Sequence, residues 1–380
     1  MTDSATGTGT GTESLTDMVW ANADRFGATI GFRRRDAGSW ADVTTREFAT
    51  QVLELAKGMI AAGLRPGDRV AIFSATRYEW SLFDFACWSV GCPTVPIDPT
   101  ATHSEVEWIL SDSGACAVVV ETAEHRETVR HVVDRLPEIA WVWQLDVGVH
   151  DGDDEVPSAV DELTALGTPI FDDRAHERRL AVRADDIATL VYPPGDHPKR
   201  VELTHGELLA EVRATIATHP ALLRAGNSLL VLAPLADLPT RLITLACVYT
   251  RTTLGHAPDS EDLFTDLGVF RPRVIVADAE LFGRFHETAR AKAYAEGNMF
   301  VFDTAESVAI SYGARGGSVS LALRLQHAVA GRVVYPKLRA AFGGRCFAAL
   351  TSGDPLDKQR VSFFLGIGID VRALGTALPE

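Results

Sequence analysis

The chain has 380 residues, 46% hydrophobic and 23% charged, which is enough apolar material for two or three packed lobes. Its formal charge of −15 and pI near 5.2 set the mean field against phosphate backbones, which argues against nucleic-acid and anionic-membrane partners and requires local cations for any nucleotide. Cys87, Cys92, Cys116, Cys247 and Cys346 form no CxxC pair, so neither a zinc site nor a disulfide framework is expected and the thiols read as buried in a reducing cytoplasm.

Residues 1–13, rich in Thr, Gly and Ser, read as a disordered tail without the basic and apolar regions of a secretory signal. Short apolar runs then alternate with amphipathic ones. Val70–Ser74, Thr94–Ile97, Ala115–Val120 and Trp141–Leu145 are expected strands, and Tyr78–Ser89, a segment from Glu105, and Ala123–Arg135 are expected helices. Thr44 with Glu47, Ser104 with Glu107, and Thr204 with Glu207 match the capping box that opens a helix. The acidic stretch Gly148–Ser158 reads as a surface loop between lobes at about 14–180 and 181–380. In the second lobe, Ile187–Tyr192, Ser228–Ala233 and Arg273–Ala277 are expected strands. Val201–Val212 leads through a capped turn into a helix, and Ser318–Leu338 has an amphipathic helical pattern. The apolar run Ser228–Val248 is broken by Pro234, Asp237, Pro239 and Arg241, so no transmembrane segment is expected and the protein is read as cytoplasmic. The alternation implies an α/β fold of parallel sheets covered by helices.

Two segments carry a family resemblance. Gly67–Glu121, beginning GDRVAIFSATRYEW, and the run from Asp186 containing YPPGDHPKRVELTH resemble the large amino-terminal domain of long-chain acyl-CoA synthetases of the adenylate-forming superfamily. The resemblance covers nearly everything after Ser14. It implies an AMP-binding-type large domain over residues 14–380, with ATP and magnesium forming an acyl-adenylate from a fatty acid and coenzyme A then taking the acyl group. A small carboxy-terminal domain that supplies a catalytic lysine in the family is expected to be absent here.

The family's phosphate loop reads Tyr-Thr-Ser-Gly-Thr-Thr-Gly-x-Pro-Lys-Gly, small residues whose hydroxyls and N–H groups wrap phosphate oxygens. Here the run is Tyr192-Pro193-Pro194-Gly195-Asp196-His197-Pro198-Lys199-Arg200, two residues shorter and without a Ser or Thr. Pro193 and Pro194 bring no N–H, and Asp196 brings the wrong charge. Gly195, Pro198 and Lys199 keep the family register. Lys199, Arg200 and His197 could form a phosphate-binding cluster, or the run could be a strand-to-helix surface loop with two solvated cations.

Elsewhere the resemblance places Asp237, in Pro234-Leu235-Ala236-Asp237, where the family has a residue near the substrate carboxylate. A turn or helix-capping role is the alternative. It also assigns Gly353 and Pro355, in Thr351-Ser352-Gly353-Asp354-Pro355-Leu356, to a turn beside adenine. Gly375 corresponds to the glycine of a last motif in which Glu380 would stand for the magnesium ligand. His205 can be explained by a local hydrogen bond at a helix start, and Trp80, Trp88 and Trp108 by core packing. Taken together these features lead to the expectation of a pseudoenzyme that keeps the fold, with an active ligase borrowing a small domain from another chain, or a homo-oligomeric scaffold or acyl-binding module, as alternatives.

Overall fold

The computed structural model describes residues 13–36, 39–149, 155–193, 199–257, 263–315, 319–353 and 355–375. The expected disordered tail therefore lies, apart from Glu13, outside the described residues. The chain divides into two compact units, Met1–Ile30 with Val43–Thr218, and Gly31–Asp42 with His219–Glu380.

In chain order, α1 (Asp17–Phe26), the strands β1 (Ile30–Asp36) and β2 (Ser39–Thr44), and α2 (Thr45–Ala61) come first. Then β3 (Arg69–Phe73), α3 (Tyr78–Ser89), β4 (Thr94–Ile97), α4 (His103–Ser113), β5 (Ala115–Val120), α5 (Ala123–Val133) and β6 (Trp141–Gln144) alternate. The short pair β7 (Gly148–Val149) and β8 (Glu155–Val156), α6 (Ala159–Gly167), α7 (Asp172–Ala181), β9 (Ile187–Val191), β10 (Val201–Thr204) and α8 (His205–Thr218) complete the first unit. The second unit continues with β11 (Ser228–Val231), α9 (Leu238–Thr250), β12 (Thr253–His256), α10 (Leu263–Phe270), β13 (Val274–Asp278), α11 (Ala279–Ala295), α12 (Met299–Gly313), α13 (Leu321–Val333), α14 (Tyr335–Ala340), β14 (Ala348–Ser352), α15 (Lys358–Gly366) and β15 (Asp370–Ala373).

The first unit is built on a six-stranded sheet of order β10-β9-β4-β3-β5-β6, parallel except for β10, which returns antiparallel to β9. One face carries α4 and α5 through Val106, Leu110, Val129 and Val132, packed on Phe73, Val95 and Val118. α3, apolar on every side, is buried along nearly its whole length, and Trp88 Nε1 donates to the Ala188 carbonyl at 2.7 Å. Trp80 is also core, whereas Trp108 is half-buried. The boxes at Thr44–Glu47 and Thr204–Glu207 form as expected. At α4 the box is Thr102–Glu105 rather than Ser104–Glu107: the helix starts at His103, so Ser104 falls inside its first turn. Glu107 instead pairs with Arg135 at 2.6 Å.

The second unit holds a seven-stranded sheet of order β15-β14-β13-β11-β12-β1-β2. The strands β1 and β2 lie early in the sequence, yet β1 pairs in parallel with β12, Phe32 opposite Leu254. Phe270, Phe282, Phe285, Phe342 and Phe364 fill the layer between this sheet and its helices. The expected helix Ser318–Leu338 is two helices. Pro336 has no N–H to continue the ladder, so α13 ends before it, at Val333, and Pro336 lies in the first turn of α14. The Ser228–Val248 run is β11 and α9, and no helix among the described residues is long and apolar enough to cross a membrane.

Backbones approach closely where α2 crosses α6. A Cβ on Gly58 would overlap the carbonyl group of Leu163, and one on Gly167 would come within 2.6 Å of the Gly58 nitrogen. Gly58→Ala is therefore expected to cost roughly 1–3 kcal/mol by overpacking, seen as a lower urea midpoint with an unchanged slope.

Candidate functional site

In the first unit, the segment matched to the phosphate loop connects two paired strands. β9 is a buried Ile-Ala-Thr-Leu-Val run, and Val191 pairs with Val201, so residues 192–200 close a hairpin. The expected strand-to-helix loop is thus a strand-to-strand connection, because Val201–Thr204 extends the sheet before α8 begins. Asp112, at the end of α4, ties both ends of the hairpin. Tyr192 Oη donates to Asp112 Oδ2 at 2.8 Å, and Arg200 Nη1 donates to the Asp112 carbonyl at 2.8 Å and lies 3.3 Å from Oδ2. Arg200 Nε also pairs with Glu202 at 3.0 Å. Burial and then the Asp112 hydrogen bond push the Tyr192 phenol well up, so it stays a donor. Arg200 is exposed, as Lys199 is, but its guanidinium is paired with Asp112 and Glu202. Pro194, Gly195, Asp196, His197 and Pro198 lie outside the described residues.

His205, which follows β10, accepts a 3.4 Å hydrogen bond at Nδ1 from the backbone N–H of Leu15, a partner far along the chain rather than the local one expected. Burial lowers its pKa to about 4.

In the second unit, parallel strands β11, β12, β13, β14 and β15 end at one carboxyl edge, where an open α/β sheet presents ligand-binding loops. Thr351 pairs with Ala373, and Leu374 N–H donates to the Thr351 carbonyl at 2.8 Å, which brings the loops carrying Gly353 and Gly375 side by side. Gly353 has φ +70, a left-handed conformation that favours glycine, and open space stands over it and over Gly375. Pro355 is exposed in the same turn. Beside them the Ser352 hydroxyl is buried with no hydrogen-bond partner among the described residues. Asp237 follows β11 at this edge. It occupies the N-cap position of α9 without a capping side-chain hydrogen bond, and its N–H donates to the Pro234 carbonyl at 3.3 Å. His256 also ends its strand at this edge, buried and held down to about pKa 3 by that burial. Sequence reasoning did not single it out. The signal was a polar residue closing the short run after Gly255, in a strand that was not recognised.

The model of the AMP-binding enzyme family matches residues 19–375. This chain belongs to the AMP-binding enzymes. It is 39% identical over 345 residues to the long-chain-fatty-acid–CoA ligase FadD15 of Mycobacterium bovis, covering 90% of this chain and 56% of that protein. The chain therefore spans little more than half the length of that relative. Among solved structures, the N-terminal domain of FACL13 from Mycobacterium tuberculosis superposes with a TM-score of 0.69 at 16% identity over 95% of this chain and 75% of that one. The A-PCP didomain of carboxylic acid reductase from Segniliparus rugosus, in complex with AMP, gives 0.70 at 15% identity over 96% and 52%. These likenesses establish the fold of the adenylate-forming large domain.

Against the ATP and magnesium that this family implies, the residues of this AMP-binding enzyme fit unevenly. The orphaned Ser352 hydroxyl and the open glycine turns at Gly353 and Gly375 suit a flat, hydrogen-bonding adenosine. The hairpin offers Lys199 alone as an uncommitted cation among its described residues. No three His, Cys, Asp or Glu side chains come together as a metal cage among the described residues, and Glu380 lies outside them.

Two outcomes follow from these contacts. Asp112→Ala removes the acceptor shared by Tyr192 and Arg200, and should lower stability by about 1–2 kcal/mol while speeding proteolytic cleavage within 192–200. The unfolded imidazole of His205 binds protons below about pH 6.5, whereas the folded one refuses them until about pH 4. Stability present above the higher value is therefore lost as pH falls through this window, on the order of 3 kcal/mol in full. His205→Gln, which keeps an acceptor for Leu15, should flatten the fall of Tm over that range.

Proposed function

We propose that this chain is an acyl-CoA synthetase homologue that keeps the large-domain fold but does not adenylate fatty acids, acting as a pseudoenzyme that holds an acyl group or a partner protein. The observation that carries this reading is the hairpin between β9 and β10. Its sequence has three prolines, an aspartate and no hydroxyl residue between Tyr192 and Arg200, and Arg200 is spent on Asp112 and Glu202.

A phosphate loop works by aiming donors that need no rearrangement at the oxygens where charge accumulates. Removing one such donor costs about 100- to 1,000-fold in rate, and here Pro193, Pro194 and the missing Ser and Thr positions remove several. Asp196 adds repulsion to a polyanion. The strand-end turns of the second unit, at Gly353, Ser352 and Gly375, have no such conflict, as expected where packing and turn geometry persist without selection for turnover.

In its relatives the reaction takes ATP and a fatty acid to an acyl-adenylate and pyrophosphate, and then to acyl-CoA. Magnesium, when bound, would neutralise phosphate charge. In this chain Lys199 could pair with a phosphate, Gly353 and Gly375 could let the backbone approach a ring, and Asp237 would oppose a carboxylate. An active ligase completed by another chain's small domain is the competing reading, and exposed Lys199 is the residue that favours it.

Isothermal titration with ATP and magnesium should give no binding in the micromolar range, and fatty-acid-dependent exchange of labelled pyrophosphate into ATP should stay at the blank. Exchange above the blank that Lys199→Ala removes would instead establish the ligase.

A further inference from the structure

In the second unit a cavity of about 390 Å³ opens between α11, α12 and the start of α15. Its wall on α11 carries His286, Glu287 and Arg290, while α12 brings Glu306 and α15 brings Arg360. The most deeply set pair joins two helices. His286 Nε2 lies 2.7 Å from Glu306 Oε1, and the two side chains are only 15% and 14% exposed. The imidazole is held from the other side by the Phe363 ring, edge to face, with centroids 4.8 Å apart. The second carboxylate oxygen of Glu306 makes no hydrogen bond among the described residues. A carboxylate so withdrawn from water, with a single partner, is short of donors.

A guanidinium stands on either side of that pair. Arg360 lies over Gly283, where a Cβ would come 3.5 Å from its Cζ. Arg290 follows His286 by one turn on the same face of α11. From Gly283 to Arg290 the helix rises about 10 Å, so along that length the cavity presents a cation, then the carboxylates of Glu306 and Glu287, then a second cation. Neither cation is well satisfied. Arg290 approaches Asp303, and Arg360 approaches Asp357, only at 3.5 Å, beyond the roughly 2.7–2.9 Å of a charge-assisted hydrogen bond. The lining sets Glu287, Glu306 and Asp357 against Arg290 and Arg360. A bare anion therefore gains no net attraction here, and a bare cation between the carboxylates leaves both guanidiniums unanswered. A molecule with an ammonium between two carboxylates is complementary at every point.

We propose that this cavity binds an α-amino dicarboxylic acid of about the size of glutamate. Its carboxylates pair with Arg360 and Arg290, and its ammonium supplies Glu306 and Glu287 with the donors they lack. A five-carbon chain with a carboxylate at each end, each met by a guanidinium at about 2.8 Å, covers the length between the cations. His286 is a positioning residue that holds the Glu306 carboxylate toward the ammonium. The β9–β10 hairpin and the turns at Gly353 and Gly375 take no part, so the outcome is independent of whether ATP binds.

The test is isothermal titration of the full chain, without nucleotide, with L-glutamate, L-glutamine and glutarate. L-glutamate should give a saturating isotherm at millimolar concentration or below. L-glutamine lacks one carboxylate and glutarate lacks the ammonium, so each should bind roughly tenfold or more weakly, as for any lost hydrogen bond to a charged group. Arg290→Gln and Arg360→Gln should each weaken L-glutamate by a similar factor and together abolish its binding. Both side chains are partly exposed, so the melting temperature should stay as it was. Glu306→Gln keeps an acceptor for His286 but removes the negative charge, and should turn the preference from L-glutamate to glutarate, which a merely structural role would not do. No saturating heat with L-glutamate, glutarate bound as tightly as L-glutamate by the unaltered chain, or binding retained by Arg290→Gln with Arg360→Gln, overturns the proposal.

Discussion

A parallel sheet covered by helices has no free face on which to do chemistry. Its strands are buried from both sides, and their polar groups are spent on neighbouring strands, so recognition is confined to the strand ends. Each unit of this protein obeys that constraint. In the second unit, β14 and β15 run in register until Thr351 and Ala373, after which the chain turns at Gly353 and Gly375. The buried hydroxyl of Ser352, without a partner among the described residues, sits where the ladder stops. Gly353, Pro355, Gly375 and Asp237, widely spaced in sequence, share one edge because the sheet puts them there.

The first unit shows what happens when the same architecture is kept and the donors are changed. The β9–β10 hairpin survives because its strands are apolar and Asp112 clamps both ends through Tyr192 and Arg200. That clamp uses a cation that an anion would otherwise attract. Pro193 and Pro194 bring no N–H to the connection. Strand packing and the Asp112 contacts hold the hairpin, and neither requires the loop to bind anything.

Electrostatics in this chain are local. The mean charge is strongly negative, yet a long segment around α13 is free of acids and carries cations beside exposed Leu and Val. A whole-chain charge describes solubility and long-range repulsion. It does not describe a surface a few ångströms wide, where only nearby side chains are felt.

Much of the fold was legible in the sequence. Tyr78–Ser89, Thr94–Ile97 and Ala115–Val120 occur as helix and strands with the expected bounds, since apolar runs and periodicities act over a few residues and are written in them. The motifs also sufficed to place the chain in its family. Tertiary structure decided the rest. It sent β1 to pair with β12, gave His205 the Leu15 N–H as its partner, and committed Arg200 to Asp112. It opened α4 on the Thr102 box rather than on the overlapping one at Ser104. On α13 the pattern was amphipathic and helical, and only the packed structure shows that Leu323 and Ala330 are covered while Leu325 and Val329 are not. The physical reason is the same in each case. Local preference sets what an element is, whereas its partners are chosen by contacts between residues far apart in the chain, and no short window of sequence contains both sides of such a contact.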